Sequence, residues 1–203
     1  MQIRTSRQDL FALLAILIFT SQACHAHVET AAAGFVSGLL HPVFGIDHLL
    51  AMLSVGIVSA QLGGRHILLV PSTFVVSMVT GASLGVLGYD IPFLEAGIAL
   101  SVILLGTAII LIRGGQRSYV VYLFVAFFGS LHGYAHGLEM PKAADPVYYA
   151  GGFLVSTVAI HLLGVGIGYA MTSTPKYYEK LRHMGAMMAG MGLMILINLF
   201  SAS

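Results

Sequence analysis

From residue 27 onward the chain alternates long apolar runs with short polar breaks. Runs near 43–62, 67–88, 91–112, 119–138, 147–171 and 184–201 each approach the roughly 20 residues a helix needs to cross a bilayer. A shorter apolar piece, 29–40, ends at His41-Pro42. The residue before a proline is disfavoured in the helical region. The piece is therefore expected to be a half-helix, or the first part of a broken long helix. Pro42 suits a first helical turn, so His41 is expected to flank the helix that follows and fold back towards it. The pattern predicts an all-α polytopic membrane protein with about six transmembrane helices plus an N-terminal half-helix.

The first residues read as a targeting segment. Arg4 and Arg7 precede a short apolar stretch, Leu10 to Phe19, and small residues Ala23 and Ala26 flank a cleavage point after Ala26. Residues 1–26 are therefore expected to be a cleaved signal peptide, leaving 27–203 as a single transmembrane domain. An uncleaved anchor, or lipidation at Cys24, are the alternatives; Ser21-Gln22-Ala23 is a poor lead-in for the latter. Cleavage removes the chain's one cysteine, which excludes disulfides and thiolate chemistry in the mature protein. It also exposes the amine of His27, which could hold a metal with its imidazole, although a solvated terminus is preferred.

Composition sharpens this reading. Of 203 residues, 58% are hydrophobic and 8% charged, against about 25% charged in an ordinary soluble domain. The mean hydropathy is +0.92. A soluble globular domain and a disordered chain are both excluded, and lipid is the expected surroundings. A net charge of +1 gives no electrostatic footprint for nucleic acid. There is no P-loop, so ATP is not hydrolysed by this chain.

The basic residues set orientation. Arg65, Arg113, Arg117, Lys176, Lys180 and Arg182 fall in alternate breaks, and the opposite breaks hold only Lys142. This bias is expected to put both mature termini outside, with six spans between them. Small residues recur at four-residue spacing, as in Gly34 and Gly38, Gly81 and Gly85, and Gly133 and Gly137. Such faces let membrane helices pack closely.

Ionisable residues at bilayer depth cost roughly 2.5–3.5 kcal/mol, which makes them functional candidates. One group is His41, Asp47 and His48. A second is His132, His136 and Glu139, whose i, i+4, i+7 spacing aligns them on one helical face. Two imidazoles and a carboxylate on one face suit a divalent metal; a hydrogen-bonded polar cluster is the alternative. Glu95, at the start of the third run, falls at the same outer level. Asp90 lies at that level too, in a break, where a helix-capping role is expected. His161 is isolated in mid-span, either a neutral core histidine or a deeper station on an ion path. His66 and His183, near the inner face, are read as solvated loop histidines rather than exit ligands. Met184, Met187, Met188, Met191 and Met194 form a stripe on the last run, read as packing in preference to a Cu(I) path.

The stretches HPVFGIDHLLAM (His41–Met52) and LHGYAHGLE (Leu131–Glu139) resemble the two signature motifs of the HupE/UreJ family of nickel permeases. Leu131 stands where that pattern has an aromatic residue, outside the ligand positions. The resemblance implies uptake of Ni²⁺ or Co²⁺, with Cu or Zn as alternative cargo. It makes His41, Asp47, His48, Glu95, His132, His136 and Glu139 the functional positions; His27 and His161 remain weaker candidates on the residues alone. It implies no tightly bound cofactor, and a metallochaperone or nickel-enzyme maturation machinery as cytoplasmic partner. A membrane haem protein or metalloenzyme is the competing class. Acidic residues crowd these histidines, unlike a haem pocket, and the zinc-protease motif H-E-x-x-H is absent.

Overall fold

The computed structural model describes residues 32–112, 118–140 and 145–201. The predicted signal peptide and His27 lie outside the described residues. Those described form seven helices and no strand: α1 (Ala32–Phe44), α2 (Ile46–Leu62), α3 (His66–Gly85), α4 (Leu94–Leu111), α5 (Ser118–Glu139), α6 (Pro146–Thr172) and α7 (Pro175–Ser201).

Helices α3, α4, α6 and α7 are each long and apolar enough to cross a membrane, and α1 with α2 makes a fifth, bent span. The chain is a multi-pass membrane protein. Helix α5 is 22 residues long, about 33 Å at 1.5 Å per residue. It carries His132, His136 and Glu139, the residues that lower its hydropathy.

Three local expectations are corrected. Helix α1 does not stop before His41; it continues through Pro42 to Phe44, and the break falls at Gly45 (φ −78°, ψ 102°). His41 is thus inside α1 rather than flanking α2. Proline removes one helical donor, but neighbouring turns carry on, with Gly45 N–H donating to His41 O at 3.4 Å. The direction change comes at Gly45, where α1 and α2 meet at 79°. Second, Asp90 caps nothing: α4 begins after Phe93, with no side-chain cap. Asp145 is a cap, accepting from the N–H groups of Val147 (2.9 Å) and Tyr148 (3.3 Å). Third, α7 starts at Pro175 rather than near 184. Pro175 suits a first helical position, and Thr174 Oγ1 accepts from Tyr177 N–H at 3.5 Å. Hydropathy marks where lipid begins, not where helix begins.

The helices pair through the small-residue faces. Gly81 and Gly85 of α3 lie against Ser130 and Tyr134 of α5, while Gly133 and Gly137 face back onto Met78 and Ala82. Rising numbers meet rising numbers, so α3 and α5 run parallel. On the same test α6 runs parallel to the bent span, with Gly38 against Tyr149 and Gly56 against His161 and Gly164. Helices α4 and α7 run antiparallel, with Gly106 against Gly185 and Ala189, and Gly192 against Ile103. These three pairings are the ones expected if successive helices alternate in sense. The core between them is built from Met52, Val55, Phe74, Met78, Val102 and Leu105.

Candidate metal centre

The break at Gly45 sets the first half of the site. Because α2 starts at Ile46, Asp47 lies in its first turn, where a carboxylate is favoured by the helix dipole. Asp47 Oδ1 accepts from the His48 N–H at 2.8 Å and lies 2.7 Å from His48 Nδ1. A carboxylate only accepts, so the proton sits on Nδ1 and the lone pair on Nε2. That Nε2 is buried and has no partner.

Helix α5 supplies the second half. His132 is 0% and His136 3% exposed, and Glu139 is exposed. Ser101 of α4 donates its hydroxyl to Ile98 O at 2.6 Å. Its oxygen lies 2.9 Å from His132 Nε2. A hydroxyl has one proton to give, so it accepts from Nε2–H, and the His132 lone pair is left on Nδ1. That atom is also buried without a partner, as are both ring nitrogens of His136. A buried polar atom left unpaired costs about 1–3 kcal/mol; a neutral imidazole has one lone pair, so these three rings offer three unused lone pairs in one cluster.

The two halves meet. Ring centroids of His48 lie 4.8 Å from His132 and 4.2 Å from His136, and His41 lies 4.9 Å from His136. His41 Nε2 is 3.1 Å from Glu139 Oε2, and His136 Nδ1 is 3.9 Å from the same oxygen. One ligand atom each from His41, His136 and Glu139 fall within 4.8 Å of one another. Phe153 closes one side, 4.3 Å from the His136 ring. A vestibule of about 650 Å³ opens over the cluster, with Asp47, Glu95 and Glu139 in its wall beside His41 and His48. Imidazoles and carboxylates without thiolates are a donor set for borderline divalent ions.

Residues 13–195 match the family described as HupE / UreJ protein. The chain belongs to the HupE / UreJ family. It is 40% identical over 154 residues to Protein HupE of Rhizobium leguminosarum bv. viciae, covering 76% of this chain and 80% of that protein. No solved structure matches the chain.

Within this HupE / UreJ chain the sequence-derived positions sort clearly. His41, Asp47, His48, His132, His136 and Glu139 come together, and Glu95 joins them in the vestibule wall. His161 stands apart, 2% exposed, with Nδ1 donating to Thr157 O at 2.9 Å. His66, expected to be a solvated loop residue, instead begins α3, half-buried, with Nδ1 2.7 Å from the Tyr122 hydroxyl. The methionines of the last helix differ in surroundings: Met188 is buried, while Met187 and Met194 are 68% and 58% exposed. Ser101 was invisible to sequence reasoning, because a lone serine in an apolar run usually only back-bonds to its own helix.

Proposed function

We propose that the protein is a permease for a divalent transition-metal ion, Ni²⁺ or Co²⁺, and that the histidine–carboxylate cluster is its entry site. Membership of the HupE / UreJ family supports a metal-transport role. The observation that carries the site is the convergence of His41, His48, His132 and His136 with unpartnered ring nitrogens in three of them.

In this reading the hydrated ion enters the vestibule, drawn by Asp47, Glu95 and Glu139. It exchanges waters for His41, His136 and Glu139, then for the deeper His48 and His132. The carboxylates offset its charge at a depth where an uncompensated ion is costly. Asp47 orients His48 and Ser101 orients His132, so neither ring must turn over to bind. Turnover requires binding weak enough to release, which a cluster spread over several partial sites provides. The bias of the basic residues supports an outward-facing cluster, with delivery inward to metal-handling partners in the cytoplasm.

The test is uptake by purified protein in liposomes, offered Ni²⁺, Co²⁺, Zn²⁺ and Cu⁺ separately. Saturable accumulation of Ni²⁺ or Co²⁺ in excess of the others is expected. Accumulation of Cu⁺ alone, or of nothing, overturns the proposal.

A further inference from the structure

The outer cluster ends at His132, and the next ring inward is aromatic. Phe74 of α3 is 1% exposed, and its ring lies 5.7 Å from the His132 ring and 5.2 Å from the His161 ring. One phenyl ring is therefore the shared neighbour of His132 and His161.

His161 is packed in the core with one nitrogen unused. Its Nδ1–H is committed to Thr157 O at 2.9 Å, so the lone pair is on Nε2, which is buried and without a partner. Thr157 Oγ1, one turn away on the same face of α6, is also buried and unpartnered. A core histidine and threonine would normally satisfy these atoms. Beside His161 an apolar groove of about 320 Å³ runs between α3 and α6 from His161 past Ser72 and Pro71 to Ile67, open at its side where Leu68, Val76, Val158 and Leu162 are exposed. Ile67 is adjacent to His66, where α3 begins beside the Arg65 break.

We infer that His161 Nε2 and Thr157 Oγ1 form a second, inner station for a divalent transition-metal ion, separated from the outer cluster by Phe74. The inference rests on the permease reading above. The ion passes from His132 to His161 when the Phe74 ring swings aside. Phe74 is the apolar barrier that keeps the two stations from being one continuous wet pore.

The test pairs binding with transport. Wild type, His161→Gln, Thr157→Val and His136→Ala are compared for the visible spectrum of bound Co²⁺ in detergent and for Co²⁺ and Ni²⁺ uptake in liposomes. His161→Gln is expected to keep the outer-cluster Co²⁺ spectrum, which also reports correct folding, to bind about one ion fewer, and to lose at least tenfold in uptake. Thr157→Val is expected to lose a smaller factor in the same direction. His136→Ala is expected to lose the outer spectrum. If His161→Gln takes up metal like wild type, or loses the outer spectrum along with transport, the inner station is refuted while the permease reading stands. If wild type itself moves no metal, the permease reading fails, and the inner station with it.

Discussion

The hydroxyl of Ser101 on α4 stands 2.9 Å from Nε2 of His132 on α5, and this contact decides which nitrogen of the histidine faces the site. The serine's proton is taken by Ile98 O, so the imidazole must donate. Partners of this kind around metal-binding histidines typically matter by 10- to 100-fold in affinity. Ser101→Ala is expected to weaken Ni²⁺ uptake about tenfold, chiefly through KM, while Ser101→Thr keeps most of it. Kinetics of uptake for the two variants check this. Equal loss in both points to packing rather than hydrogen bonding.

Asp47 performs the same service for His48, and adds charge. Asp47→Asn keeps the shape but removes the charge, and its amide can donate to Nδ1 and send the proton to Nε2. Uptake is expected to fall by more than tenfold, with Asp47→Glu partly restoring it. Helical content, followed by circular dichroism, should stay within error of wild type, because the substitution leaves the α2 backbone intact.

Glu139 and His41 bridge α5 and α1 at 3.1 Å. Glu139 is partly exposed, so the pair adds at most about 1 kcal/mol to stability. Its removal should be felt in transport rather than in melting. Glu139→Gln is expected to reduce uptake severalfold and leave the melting temperature in detergent nearly unchanged. A large drop in melting temperature would make the bridge structural.

Gly133 shows the opposite behaviour. A Cβ placed there would run into the backbone of Met78, which cannot yield without moving α3. Gly133→Val is expected to cost several kcal/mol by forcing apart a close-packed pair, and to lower both melting temperature and yield. Gly190 is the control: a methyl group added there meets nothing within 4 Å, so Gly190→Ala should change little.

Much of this organisation was legible in the sequence, for physical reasons that differ from one residue to the next. The i, i+4, i+7 spacing of His132, His136 and Glu139 survives folding because a helix fixes it. Gly81, Gly85, Gly133 and Gly137 announced close packing because lipid supplies no hydrophobic force to hold helices together. Pro42 misled, since a proline is a local signal and the bend comes three residues later at Gly45. Ser101 and the ring order from His132 through Phe74 to His161 depend on which helices are neighbours, and no local pattern carries that.

The central claim is that the histidines of the outer cluster take the metal and that transport depends on them. The direct measurement is Ni²⁺ binding and Ni²⁺ uptake by the same preparations of wild type, His132→Ala and His136→Ala. The account predicts that each variant folds, binds Ni²⁺ at least tenfold more weakly, and loses uptake in step. Wild-type binding and uptake in both variants would contradict it.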